Sequence, residues 1–154
     1  GIAELQVAKN PAVITTIGLG SCVGVTIYDP ITQIGGLVHI LLPTANGDGS
    51  TNPAKYADTG IPELINRMMR LGANRNAMVA KIAGGANMFK SGAGKPNIFM
   101  VGQRNTEMCI EMLRRERIKL ARSDTGGDYG RTIELSTESG DLRVKTIGRG
   151  EKIL

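Results

Sequence analysis

The chain has 154 residues, with 19 Lys plus Arg against 14 Asp plus Glu, which gives a formal net charge of +5. A chain of this length buries roughly 68 to 70 % of the surface that its unfolded form exposes, so we expect a single domain over residues 1–154 with an ordinary apolar core. Aromatic residues make up 3 % of the chain and Trp is absent, which excludes the aromatic platforms that stack nucleic-acid bases.

The first part of the chain predicts β-structure. Residues 1–10 lack the basic start and apolar stretch of a signal peptide. Apolar and β-branched residues then predict three strands, over residues 13–17, 22–28 and 34–42. The turn at 29–33, which begins with Asp-Pro, is short enough to join the second and third strands as an antiparallel hairpin. The third strand contains the longest apolar run, which falls far below the ~20 residues that cross a bilayer, so we expect no membrane insertion.

The middle of the chain predicts a loop and a helix. Residues 43–54 are rich in turn-forming residues and long enough to act as a lid. Apolar residues at helical spacing between Ala57 and Met68 predict an amphipathic helix, which Gly72 ends. Pro62 must lie in the first turn of that helix or mark a kink.

The rest of the chain predicts a second set of strands and one more helix. A buried strand at 77–83 runs into Gly84-Gly85, and a loose segment follows at 90–97. The apolar stripe at Met108–Leu113, followed by several arginines, predicts a second helix. Two last strands, at 131–136 and 142–147, form a closing hairpin. We therefore expect an α+β fold, a layered sandwich of mixed or antiparallel sheet with packed helices.

The predicted hairpin places Cys22 directly opposite His39, the one histidine of the chain. Opposed residues on one face of an antiparallel pair have Cβ atoms ~4.5 to 5.5 Å apart, which brings a thiol within hydrogen-bond reach of an imidazole. An adjacent imidazolium lowers the pKa of a thiol. We therefore expect Cys22 to be a nucleophile that His39 keeps ionised, provided that the register does not slip by one residue.

Two further groups complete the predicted site. The glycines before Cys22 allow a sharp turn that aims the backbone N–H groups of Ser21 and Cys22 at one point, as an oxyanion hole requires. Thr16, on the preceding strand, is the nearest hydroxyl that would orient His39. Because the nucleophile and the proton carrier are side chains, neither a metal nor an organic cofactor is expected. Cys109 lies on an apolar helical stripe and is expected to be inert.

Other interpretations stay open at this stage. A Cys in a strand is often a small buried hydrophobe, and the chain would then be a non-catalytic module that works by docking on a partner. A basic surface would favour an acidic protein partner. A third interpretation is a redox switch that joins Cys22 to Cys109. The cysteine content is too low for a disulfide-rich secreted fold and shows no zinc spacing, so we expect a cytoplasmic protein.

Several blocks of the sequence, taken together, resemble the CheD family of chemoreceptor glutamine deamidases. They are residues 16–23, 55–59, 81–86 with Met88-Phe89, and 124–127. The resemblance extends from about residue 5 to residue 150, and the blocks occur in the family's order. One block alone is a weak signal, whereas the set is specific.

The resemblance implies an activity, a site and partners. Selected glutamine side chains on the cytoplasmic helices of chemoreceptors would be hydrolysed to glutamate with release of ammonia. A Cys-His-Thr triad would fall on Cys22, His39 and Thr16. The fold would be similar to that of deamidating toxins of the cytotoxic necrotizing factor type. Members of the family also bind CheC, a phosphatase of the signalling protein CheY, and some activity on receptor methyl esters is implied.

Overall fold

A computed structural model of the chain describes residues 1–47, 51–88 and 100–154. The segment predicted to be loose at 90–97, Phe89, and residues 48–50 of the 43–54 loop lie outside the described residues. The described strands are β1 Leu5–Lys9, β2 Val13–Leu19, β3 Val23–Asp29, β4 Ile34–Ile40, β5 Val79–Gly84, β6 Lys119–Thr125, β7 Arg131–Ser136, β8 Leu142–Thr146 and β9 Gly150–Ile153. The described helices are α1 Ala57–Leu71 and α2 Val101–Arg115, with short 3-10 helices at Pro53–Lys55 and Arg75–Ala77.

The described strands form two sheets. The first has the order β1-β4-β3-β5-β6 and is mixed, because β5 and β6 are parallel while the other neighbours are antiparallel. The second has the order β2-β7-β8-β9 and is antiparallel throughout. The expectation of an α+β fold with mixed and antiparallel sheets is confirmed.

The fold has three layers, the two described helices, the five-stranded sheet and the four-stranded sheet, with apolar side chains between them. One face of the five-stranded sheet packs on the described helices α1 and α2 through a cluster that includes Ile61, Leu64 and Leu113. The opposite face packs on the four-stranded sheet through a second cluster, which includes Leu37 and Ile133. Strands β3 and β4 belong to the middle layer, the five-stranded sheet, and are buried along their whole length. That explains their near-continuous apolar sequences, since both faces are covered.

The sequence missed three strands, β1, β6 and β9, and all three lie at sheet edges. Edge strands pair on one side only and commonly carry charged residues, which erases the apolar pattern that marks a central strand. Strand β6, with the sequence KLARSDT, has no fully buried residue. The strands predicted at 13–17, 34–42, 77–83, 131–136 and 142–147 are confirmed to within about two residues at each end.

The predicted first helix is confirmed as α1. Gly72 ends the helix in the left-handed conformation at φ 116°, and its N–H donates to the Met68 carbonyl. Pro62 is the sixth residue of α1, beyond the first turn, so the first of the two predicted alternatives is excluded. Because Pro62 has no backbone N–H, the carbonyl of Asp58, four residues earlier, lacks its usual helical donor.

The predicted hairpin forms, but in a different register. His39 lies opposite Gly24, and Ile40 lies opposite Val23. The predicted pairing of Cys22 with His39 was therefore wrong by two residues, because β3 begins only at Val23 and the turn is centred later in the chain. A shift of two residues keeps every side chain on its face, so Cys22 and His39 still point to the same side of the sheet.

Candidate active site

Cys22 and His39 lie at the end of the five-stranded sheet where β3 begins and β4 and β5 end. Thr16 reaches His39 from the four-stranded sheet. Strand β3 runs antiparallel to β4 and β5, so the start of β3 meets the ends of β4 and β5, and β6 ends beside β5. The loop before β3 carries Cys22, and His39 is the second-last residue of β4. The loops that follow β4, β5 and β6 leave the sheet at the same edge. Residues far apart in the sequence therefore meet around Cys22.

Cys22 is nearly buried, with 6 % of its surface exposed, and belongs to the cluster between the two sheets. Its carbonyl accepts a hydrogen bond of 2.8 Å from the N–H of Gly85. Burial raises the pKa of the Cys22 thiol above its ordinary value, and the residue's own backbone N–H lowers that pKa by a smaller amount. The resting thiol is therefore protonated at neutral pH.

His39 is fully buried and is held by Thr16. The Thr16 Oγ1 and His39 Nδ1 atoms are 2.8 Å apart and form a hydrogen bond that joins β2 of one sheet to β4 of the other. The second ring nitrogen, Nε2, has no hydrogen-bond partner among the described residues. The pKa of His39 is lowered to about 4, chiefly by burial and to a smaller extent by the terminal amino group of Gly1, while Glu4 acts in the opposite direction.

The structure brings Thr16 and His39 together and places Cys22 on the same side of the sheet. Within the described part of the chain, no hydrogen bond joins the Cys22 thiol to His39. The sequence predicted a resting ion pair between them, and the electrostatics of the structure disagree. Both groups are buried without an opposite charge in contact, which favours a neutral thiol and a neutral imidazole. Catalytic hydrogen bonds are often long in the absence of substrate and shorten when it binds.

The carbonyl groups of the loop before β3 are held by three separate donors. The carbonyl of Gly20 accepts from Ala86 N–H at 2.8 Å, and that of Ser21 accepts from Asn105 Nδ2 at 2.9 Å. The carbonyl of Cys22 accepts from Gly85, as described above. Neither Ser21 N–H nor Cys22 N–H donates to another backbone carbonyl among the described residues. These are the two groups that the sequence predicts as oxyanion donors.

Glycine is required at Gly84, directly beside the nucleophile loop. Its φ is 112°, and a Cβ atom at this position would collide with the carbonyl oxygen of Cys22. The close approach allows the next residue, Gly85, to donate to that same carbonyl. The Gly84-Gly85 pair of the sequence blocks is therefore explained by the path of the backbone around Cys22.

A buried ion pair contacts the same loops from the side of the four-stranded sheet. Arg131, on β7, has a fully buried side chain whose Nε lies 3.3 Å from Asp124. Its guanidinium also donates to the Gly84 carbonyl at 3.4 Å. Sequence reasoning missed Arg131, although Asp124 stands in one of the blocks that carry the family resemblance. The acidic residue of that block therefore has a structural partner.

Two cavities open at this edge of the molecule. The first, of about 320 Å³, is lined in part by Gly85, Thr106 and the Gly126-Gly127 turn. The second, of about 370 Å³, lies between Pro43-Thr44 and the exposed side of α2. Glu107 lines both. The glycine loops at 84–85 and 126–127 meet at the first cavity, and the start of the predicted lid borders the second.

Cys109 lies in a different part of the core from Cys22. It is fully buried in the cluster on the helix side of the five-stranded sheet, whereas Cys22 lies on the opposite face. Burial alone strongly raises the pKa of its thiol. Both cysteines are free, which gives no support to a redox switch between them.

The described residues contain neither a metal-binding cluster nor a membrane-spanning helix. Over the ranges 1–47, 51–88 and 100–154, no group of three or more His, Cys, Asp and Glu side chains is arranged to hold a metal ion. In those ranges no helix combines the length and apolar character needed to span a membrane.

Comparison with known proteins gives one consistent family. The model of the CheD chemotactic sensory transduction family matches residues 41–146. A probable chemoreceptor glutamine deamidase CheD of Desulfitobacterium hafniense is 48 % identical over 154 residues, which cover 100 % of this chain and 96 % of the relative. The relative of the same name from Caldanaerobacter subterraneus is 48 % identical over 155 residues, covering 100 % and 95 %. That of Thermococcus kodakarensis is 46 % identical, covering 99 % and 94 %.

Proposed function

Because the chain belongs to the CheD family, we propose that it is an amidohydrolase that converts glutamine side chains of chemoreceptors to glutamate and releases ammonia. The relatives that cover nearly the whole chain carry the name chemoreceptor glutamine deamidase. We assign the chemistry to Cys22, His39 and Thr16, with the backbone N–H groups of Ser21 and Cys22 as oxyanion donors. One observation carries this assignment: a buried, oriented imidazole leaves one nitrogen unpartnered on the face that also bears the thiol.

The contact between Thr16 and His39 is compatible with the tautomer that catalysis needs. A neutral imidazole carries one proton, and Nε2 is a base only when that proton sits on Nδ1. The 2.8 Å contact allows Nδ1–H to donate to Thr16 Oγ1. Thr16 therefore acts as an uncharged positioning residue, and His39 stays neutral at pH 7 because its pKa is held at about 4.

The first half of the reaction forms a thioester. As the Cys22 sulfur attacks the side-chain amide carbon of the substrate glutamine, His39 Nε2 accepts the thiol proton. The amide oxygen becomes negatively charged and is bound by the N–H groups of Ser21 and Cys22. When the intermediate collapses, His39 returns its proton to the amide nitrogen, and ammonia leaves. Because the Cys22 thiol and the His39 imidazole are both neutral before the reaction, the proton moves during the attack and not beforehand.

The second half hydrolyses the thioester. A water molecule gives a proton to His39 Nε2 as its oxygen attacks the same carbon, and the new oxyanion uses the same two donors. Collapse breaks the carbon–sulfur bond, releases the glutamate side chain, and returns the proton to Cys22. Every step uses side chains and backbone of this chain, and none needs a cofactor.

The two cavities that meet at Glu107 are the region where we place the substrate. They border the loops around Cys22 and follow the exposed side of α2, which suits a glutamine presented on a receptor helix. We also propose the partner and setting that the family implies: the cytoplasmic helices of receptors, the phosphatase CheC, and the cytoplasm. A single domain with the fold of the deamidating toxins belongs to the same proposal.

The assignment is tested with purified receptor cytoplasmic fragments and mass spectrometric mapping of converted glutamines. The Cys22→Ala variant is expected to lose conversion while it retains binding to the fragment. The matched control is Cys109→Ala, which removes the other thiol and should leave conversion unchanged, since that residue is buried on the far face of the sheet.

The outcomes separate the two classes of function. If Cys22→Ala converts glutamines at the wild-type rate, Cys22 is not the nucleophile. If the wild-type protein binds receptor fragments without converting any glutamine, the chain is a docking module and not an enzyme.

A further inference from the structure

Asn105 is a fully buried polar side chain on α2 that contacts the nucleophile loop from the helix side. Its Nδ2 donates to the carbonyl of Ser21 at 2.9 Å and to the carbonyl of Leu41 at 3.0 Å. Both partners are carbonyl oxygens, which only accept hydrogen bonds, so the side chain must turn its NH₂ group toward them. The orientation of the amide is therefore unambiguous.

The bond to Ser21 sets the direction of the next backbone N–H. The Ser21 carbonyl and the Cys22 N–H belong to one planar trans peptide group and point in opposite directions. When Asn105 holds the carbonyl against α2, the Cys22 N–H is turned away from the helix. It then lies beside the sulfur of its own residue, which is why it lowers the pKa of that thiol.

The bond to Leu41 ties the nucleophile loop to the strand that carries the base. Leu41 follows His39 by two residues, just beyond the end of β4. One NH₂ group thus spans the segment before β3 and the segment after β4. The two catalytic segments are held in one arrangement by a side chain that forms no hydrogen bond with Cys22 Sγ or the imidazole among the described residues.

The oxygen of the Asn105 amide gives no reason for an asparagine at this position, so the two bonds donated by the nitrogen must be the reason. Asn105 Oδ1 is buried and has no hydrogen-bond partner among the described residues. A buried acceptor without a partner is unfavourable, and a leucine of similar size would avoid that penalty here. The two donated bonds are what an apolar residue at this position would lack.

We propose that Asn105 is a positioning residue for glutamine hydrolysis, which orients the Cys22 N–H so that it binds the oxyanion of each tetrahedral intermediate. The inference rests on the proposed function and extends it to a residue on a helix that contributes none of the assigned catalytic groups.

The test compares Asn105→Leu with the wild-type protein in two assays. In deamidation of a receptor fragment, kcat should fall by about 10² to 10³, the usual loss when one oxyanion donor is removed, while KM changes by less than about threefold. In the second assay, iodoacetamide alkylates Cys22 with loss of iodide and forms no oxyanion. The limiting rate of alkylation at high pH should therefore match the wild-type rate.

Two variants guard against a general effect on folding. Cys109→Ala, in the same helix and equally buried, should lower stability with kcat unchanged. Asn105→Ser keeps one hydroxyl donor and leaves space for water, so it replaces the Leu variant if that variant does not fold, and its kcat should still fall at least tenfold.

Each outcome bears on one proposal. If Asn105→Leu keeps kcat within threefold of the wild-type value while Cys22→Ala is inactive, the positioning role is wrong and the proposed function stands. The role is also wrong if the limiting alkylation rate falls as much as kcat. If Cys22→Ala is fully active, the assignment of Cys22 as the nucleophile fails, and the inference fails with it.

Discussion

Lowering the pH from 7 to 5 should destabilise the fold through His39. The imidazole is fully buried, its pKa in the folded protein is about 4, and its ordinary value is 6.5. Between these values the unfolded chain binds a proton that the folded protein refuses, so stability falls as the pH falls. The contribution of His39 is complete above about pH 6.5 and is lost by about pH 4.

The size of the effect follows from the gap between the two pKa values. At 1.36 kcal/mol for each pKa unit, the full loss is about 3 kcal/mol. About 2 kcal/mol of it falls between pH 7 and pH 5. A change of this size is a large fraction of the stability of a small domain.

The measurement is urea unfolding, followed by circular dichroism, of the wild-type protein and His39→Gln at pH 7, 6 and 5. Carboxylates titrate in both proteins, so the difference between them isolates the imidazole. The variant should lose about 2 kcal/mol less than the wild-type protein between pH 7 and pH 5. Equal losses would show that His39 does not stay neutral. A wild-type protein that gains stability relative to the variant as the pH falls would mean that His39 is held as an imidazolium, as the sequence-predicted ion pair requires.

Two further substitutions test the geometry around the nucleophile. Thr16→Val removes the partner of His39 Nδ1 with little change of shape; we expect a loss of ~1 to 3 kcal/mol of stability in urea unfolding and at least a tenfold fall in deamidation kcat. Gly84→Ala places a methyl group against the Cys22 carbonyl and should abolish deamidation, whereas Gly148→Ala, also at positive φ but with open space around it, should cost ~1 kcal/mol and keep full kcat. Equal kcat values in the two alanine variants would contradict the close approach that we describe.

A pair of substitutions separates buried from exposed charge at Asp124. Lys152→Ala removes an exposed partner and should change the free energy of unfolding by less than ~1 kcal/mol. Asp124→Asn leaves Arg131 buried without its opposite charge and should cost ~3 to 5 kcal/mol. Similar losses in thermal or urea unfolding would show that Arg131 is satisfied by other groups.

The site illustrates where local sequence reasoning succeeds and where it stops. A short turn between two apolar runs is enough to predict an antiparallel hairpin, and alternation of side chains then restricts Cys22 and His39 to one face or to opposite faces. The exact register depends on which residue begins β3, and that is decided by contacts with β5 and with the loop beyond it. The face was therefore predicted correctly, while the pairing was two residues off.

Residues that support the site from other elements leave no such local signal. Asn105 stands in an ordinary amphipathic helix, and its contacts with Ser21 and Leu41 span 84 and 64 residues. Arg131 is the first residue of β7, and the sequence of β7 and β8 predicts only an ordinary hairpin. Nothing in the neighbouring sequence of either residue marks it as part of the site.

The amino-acid sequence by itself determined the composition of the core, the central strands, the two helices among the described residues and the membership of a family, because each of these depends on local periodicity or on blocks of residues. The tertiary structure decided how charge is distributed in the site. Whether a thiol and an imidazole form an ion pair depends on burial and on the direction of each side chain, and both are properties of packing between the two sheets. Protonation is therefore set by residues far away in the chain, as the low pKa of His39 illustrates.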